Sequence, residues 1–128
     1  VSDIRRLIQL VMERVSDEVP ELGGRVNDWS VETTAYPNAT IDTMYGVETD
    51  AECITSDEWV IQMSIWDRNS NSAKHAQLGN KVRLALKGWR DVDEMTMQPL
   101  SVQVPVVTRD NDGVTMRARL MIEATIEG

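Results

Sequence analysis

Nucleophiles and metal ligands are scarce in this 128-residue chain, which has one histidine and one cysteine. With His75 and Cys53 as the only imidazole and thiol, a zinc or other transition-metal site lacks its usual ligands. Spacing alone leaves a Cys–His nucleophile pair open, because such partners meet in space. The carboxylates around Cys53 would raise its pKa, however, and so disfavour the thiolate. Asp110-Asn-Asp-Gly113 has some features of a calcium loop. Setting Gly113 at the glycine position puts Thr108 at the first ligand and Arg119 where the closing glutamate is needed, so the motif fails. Gly23-Gly24 lacks the continuation of a phosphate-binding loop. Asp50 and Glu52 have no apolar residues around them to perturb their carboxyls, and read as solvated acids. The expectation is a non-enzymatic chain without cofactor or metal.

Charge is more informative. The net charge is −8, yet residues 26–67 contain no Lys or Arg and nine acids, while the remainder carries 13 basic against 12 acidic side chains. One contiguous third therefore holds the whole excess. Such a field repels polyanions and disfavours nucleic-acid binding. It is either a solvated acidic face or an acidic functional surface.

Length and composition fit one soluble globular domain over 1–128, with 41% apolar and 27% charged residues. No apolar run reaches the ~20 residues that cross a bilayer, so no membrane partner is expected. The opening Val-Ser-Asp-Ile-Arg-Arg has no hydrophobic signal core, which leaves secretion unsupported. Asn38-Ala39-Thr40 matches a glycosylation acceptor and is discounted for the same reason.

The elements follow from hydrophobic spacing. After a cap at Ser2 or Asp3, Ile4, Leu7, Ile8, Val11, Met12, Val15 and Val19 form a helical stripe that Pro20 and Gly23-Gly24 end. Val26 to Thr34 reads as a short strand with Trp29 and Val31. Tyr36-Pro37-Asn38 reads as a turn, and Thr40–Met44 as a second short strand. Gly46 to Thr55 is expected to be an acidic loop. Trp59, Ile61, Met63 and Ile65 then alternate with Val60, Gln62 and Ser64 along a strand buried on one face. Asn71 or Ser72 caps a second helix whose stripe is Leu78, Val82, Ala85, Leu86 and Trp89.

Leu100, Val102, Val104 and Val106 alternate next, with Pro105 predicting an edge strand or a bulge. Asp110-Asn-Asp-Gly113 predicts a hairpin turn. Val114 to Ile126 then alternate apolar and polar over 13 residues, a strand spanning ~44 Å. The two helices are shorter, so either part of this terminal hairpin protrudes and seeks a neighbour, or a bulge bends it back. Trp66 has the opposite parity from Ile65 and either covers the start of the second helix or meets another chain. Trp66, Arg109, Asp110, Asp112, Arg117, Arg119 and Met121 are the candidate contact residues. The expected fold is α+β: two helices on one face of a mostly antiparallel four- to five-stranded sheet with a long C-terminal hairpin.

The segment Trp59-Val-Ile-Gln-Met-Ser-Ile-Trp-Asp67, the helix with Leu84-Ala-Leu86, and the strand returning through Arg109-Asp-Asn-Asp-Gly113 follow a first helix and a Pro37 turn. In order and pattern this resembles the tail-terminator, or tail completion, proteins of long-tailed phages and of gene transfer agents. The resemblance implies a structural virion protein of the tail neck, assembled in the host cytoplasm. It also implies a homo-hexameric ring, formed either free or only on the tail, that caps the tail tube, stops its polymerisation and docks the head connector. DNA would pass through the ring without specific binding. Asp42, Glu48, Asp50 and Glu52 would face that channel and repel DNA; docking on a basic partner is the other use for these acids. The competing readings are another head–tail adaptor of the neck and a small-molecule-binding α+β domain.

Overall fold

The computed structural model describes residues 4–28, 35–51, 54–68, 71–89 and 99–127. Helix α1 (Ile4–Glu18) leads through a 3-10 turn (Pro20–Leu22) into the two-residue strand β1 (Val26–Asn27). Strands β2 (Asn38–Ala51) and β3 (Ile54–Arg68) follow, then helix α2 (Ser72–Leu86). Strands β4 (Ser101–Val102), β5 (Val106–Arg109) and β6 (Thr115–Glu127) complete the chain. They form one six-stranded sheet in the order β1-β2-β3-β6-β4, with β5 also pairing β6. Every ladder is antiparallel except β1–β2. The α+β architecture is the expected one, with more strands.

The first helix forms as its spacing dictates: Leu7, Ile8, Val11 and Val15 are buried, joined by Leu10. Its capping candidates Ser2 and Asp3 lie outside the described residues. Alternation likewise places Ile61, Met63 and Ile65 of β3 in the core with Ala118, Leu120, Ile122, Ala124 and Ile126 of β6, all against the helices. A 15-residue strand covers ~50 Å and a 15-residue helix only ~22 Å, so the strands outrun each helix.

Three expectations change. In the acidic stretch from Gly46 to Thr55, all but Glu52 and Cys53, which lie outside the described residues, are strand and not loop. They form the far ends of β2 and β3, paired from Gly46↔Trp59 to Ala51↔Ile54. Its Thr, Val and alternating polar residues suit a strand, and the partner strand overrides the weak propensity of Asp and Glu. Second, of the strand expected over Val26 to Thr34 the described part is β1, and residues 29–34, with Trp29 and Val31, lie outside the described residues. Third, β6 does not protrude bare, since its apolar face is buried from Met116 to Ile126.

The strand expected through Leu100 and Val106, at an edge or bulged at Pro105, is two pieces with the irregularity at Pro105. Val102 pairs with Ile122 but Val106 pairs with Arg119, a one-residue slip in register across Pro105. A slip of one flips every later side chain to the other face. Leu100 and Val102 are therefore buried, whereas Val104 and Val106 are 66% and 54% exposed.

Helix α2 begins where expected. Asn71 is its N-cap, with Oδ1 accepting from the Lys74 amide at 2.8 Å. Its buried stripe is His75, Gly79, Val82 and Leu86, while Leu78 and Ala85 are only partly covered. A Cβ on Gly79 would stand 3.2 Å from that of Ala118 and 3.3 Å from Pro105, so glycine lets this helix lie close on β6 and the β4–β5 connection.

Candidate interaction surfaces

The sheet has one face under the helices and one open face, and the polar residues of β2, β3 and β6 meet on the open one. A bulge between Ile41 and Thr43 in β2 sets Asp42 on this face. Its Oδ1 accepts from Thr40 Oγ1 at 3.0 Å and its Oδ2 from Arg117 Nη2 at 2.8 Å. Ser64 Oγ also donates to Oδ2 and in turn accepts from Arg117 Nε at 2.7 Å. Trp66 Nε1 donates to Thr40 Oγ1 at 3.1 Å, and the Arg117 guanidinium lies 4.9 Å from the centre of the Trp66 ring. Each member therefore orients another. The Asp42–Arg117 pair is only partly solvent-screened, so charge and geometry are held together.

Trp66 accordingly stands on the open face under Arg117 and does not cover the start of α2. Arg119 and Met121 follow on the same strand, with Gln62, Gln103, Val104 and Val106, around a shallow groove of about 120 Å³. Arg109, Asp110 and Asp112 sit at the hairpin turn instead. Gly113 takes φ 77° there, a left-handed conformation that glycine adopts without a Cβ penalty. Asp112 Oδ1 accepts from the amides of Val114 and Thr115, at 2.9 and 2.8 Å, and Oδ2 from Thr115 Oγ1 at 2.5 Å. These donors, the Thr115 hydroxyl foremost, hold its carboxyl down at about pKa 2. Its lone pairs serve the turn, not a cation. Arg109 Nη1 donates to the Gly113 carbonyl at 3.1 Å.

Of the four acids ascribed to a channel, Asp42 is bound to Arg117. Glu48 and Asp50 lie on β2 opposite Asp57 and Thr55, and Glu52 is outside the described residues, as is Cys53. The structure thus gathers Asp42, Trp66, Arg117, Arg119 and Met121 on one face and leaves the turn residues apart. Sequence reasoning missed Thr40, Ser64 and the bulge; the polar Ser64 between Met63 and Ile65 was the available signal.

His75 is a core residue. Its Nε2–H donates to the Ile65 carbonyl at 2.8 Å, while Nδ1 is buried without a partner. Among the described residues no group of three or more His, Cys, Asp or Glu could hold a metal. A cleft of about 570 Å³ lies between the 3-10 turn and α2, lined by Glu21, Pro37, Asp67, Lys74, Gln77, Leu78 and Lys81. Lys81 Nζ bonds both oxygens of Glu21 there, at 2.8 and 2.7 Å, and this bond lowers the Glu21 pKa. No described helix is long and apolar enough to cross a membrane.

An ordered, uncovered polar sheet face is a surface that an assembly component can use, and comparison with known proteins bears on it. The family described as "Tail completion protein gp17" matches residues 6–127. The chain belongs to this family. Among solved structures it is similar to a chain of a native gene transfer agent virion, with TM-score 0.77 and 15% identity over 92% of each chain. It is also similar to the gp17 protein of bacteriophage SPP1, with TM-score 0.60 and 18% identity, covering 95% of this chain and 89% of that one. At such identities the two likenesses show a shared fold. No curated protein matches the sequence. The tail completion family is one of structural virion proteins, so the chain is a structural component of the tail and neck of a phage-like particle.

Proposed function

We propose that copies of this chain form a hexameric ring that caps the finished tail tube, ends its polymerisation and presents the docking surface for the head connector. The observation that carries this reading is the open face of the sheet. Its side chains are fixed by the Asp42–Ser64–Arg117–Trp66 network. A preorganised face loses little side-chain entropy on docking, and Trp and Arg are the residue types that dominate interfaces. Arg119 and Met121 extend that face toward the β5 edge, while Arg109, Asp110 and Asp112 present the hairpin turn to a neighbour. The partners are other copies, the tail tube protein and the head completion protein; DNA crosses the ring without specific contacts.

Deleting the gene and imaging the particles tests this. The expected result is tails of uncontrolled length beside unjoined heads, both rescued by the intact gene. Tails of normal length that fail only to join heads would assign the chain to a neck adaptor. Normal joined particles would overturn the proposal.

A further inference from the structure

The two lateral sides of the sheet carry opposite charge. On one side lies β2, within the stretch 26–67 that has nine acids and no Lys or Arg. On the other lie β4 and β5, with α2 against them through Gly79 at Pro105 and through Arg83 Nε donating to the Val102 carbonyl. Residues 68–90, which contain α2, hold six Lys and Arg and no Asp or Glu. Composition alone would leave both as solvated faces, but three further observations point to contact.

First, the backbone register sets Glu48 directly opposite Asp57, and Asp57 opposite Ile126 on its other side. Like charges placed directly opposite across a ladder are destabilising. Second, Lys74 and Lys87 on the exposed side of α2 make no ion pair among the described residues. Third, both sides expose large apolar groups: Met44 and Tyr45 on β2 at 42% and 52%, and Leu84 and Val106 on the α2–β5 side at 60% and 54%. Each side thus combines exposed apolar groups with a stretch of sequence whose charges are of one sign.

We infer that neighbouring copies join head to tail, with the acidic β2 side of one copy lying on the basic α2–β5 side of the next. This rests on the ring reading above and supplies its interface. Two different patches meeting make a heterologous contact, which generates a ring when the rotation closes. Charge complementarity fixes the order of the two sides and rejects the like-with-like arrangements. It also gives Glu48 and Asp50 of β2 a docking role in place of channel lining.

The test uses two full-length variants, Lys74→Glu/Lys87→Glu and Glu48→Lys/Asp50→Lys, checked for native circular dichroism and followed by sedimentation at low salt. The expected result is assembly of the wild type, at least about tenfold weaker assembly of each variant alone, and recovery in their equimolar mixture. The mixture recovers because each altered side then meets its opposite. About 1 M salt, which cuts the screening length to ~3 Å, weakens the wild-type assembly. Variants that assemble like wild type would overturn this interface and leave the ring standing. A mixture that fails to recover, or a wild type monomeric throughout, would also overturn it; the deletion phenotype decides the ring reading separately. Intact assembly with slowed DNA release in the hairpin variant would return the acids to the channel.

Discussion

The two faces of the β3–β6 ladder share one backbone and differ in what holds them. Under the helices, Ile61, Met63, Ile65, Leu120 and Ile122 are wholly buried, and burial of apolar area holds that face. On the open face, Trp66 of β3 and Arg117 of β6 are linked through Thr40 and Asp42 of β2 by a chain of hydrogen bonds that ends in the Asp42–Arg117 ion pair. The first face makes the fold and tolerates no loss of volume. The second fixes a surface, and its worth to stability is small because its charges remain partly wet. A protein that needed only to fold would gain little from such order on an uncovered face.

That contrast can be broken quantitatively. Leu120→Ala on the covered face empties space at the centre of the sheet and should cost about 2–5 kcal/mol in urea unfolding. Gly79→Val pushes Cβ and more against Ala118 and Pro105, and should cost about 1–3 kcal/mol by lifting α2 from the sheet. Arg117→Ala removes the ion pair and the Trp66 contact on the open face and should cost only about 1–2 kcal/mol. A larger loss for Arg117→Ala than for Leu120→Ala would reverse the assignment of the two faces.

The smallest effect belongs to the turn. The folded-state pKa of Asp112, about 2, lies below its ordinary 3.8, so its stabilisation is present above about 3.8 and lost as pH falls through 2. Asp112→Asn should therefore be less stable than wild type at neutral pH, with the gap in melting temperature closing between pH 4 and 2. A gap that stays constant across that window would show that the carboxylate charge is not what braces the turn.

Much of this was legible in the sequence, and the exceptions have physical causes. The stripes of α1 and β6 are written plainly because each has a single buried face and unbroken period. The stripe of α2 is written too, at His75, Gly79, Val82 and Leu86, but two of those residues are not apolar. A histidine with one nitrogen on the Ile65 carbonyl and a glycine at a close contact are core residues by geometry, not by hydropathy. The acidic strand ends were missed because charge and hydropathy describe solvent and not backbone pairing. The open-face network was invisible because it depends on the Asp42 bulge, which no single-strand pattern encodes.

The ring proposed above makes this chain a cap and not a repeating tube subunit. Gold-labelled antibody against the chain, imaged on intact particles, tests it directly. Label is expected only at the head–tail junction, a single ring's worth on each particle. Label distributed along the length of the tail, or found only on free protein outside the particle, would contradict it.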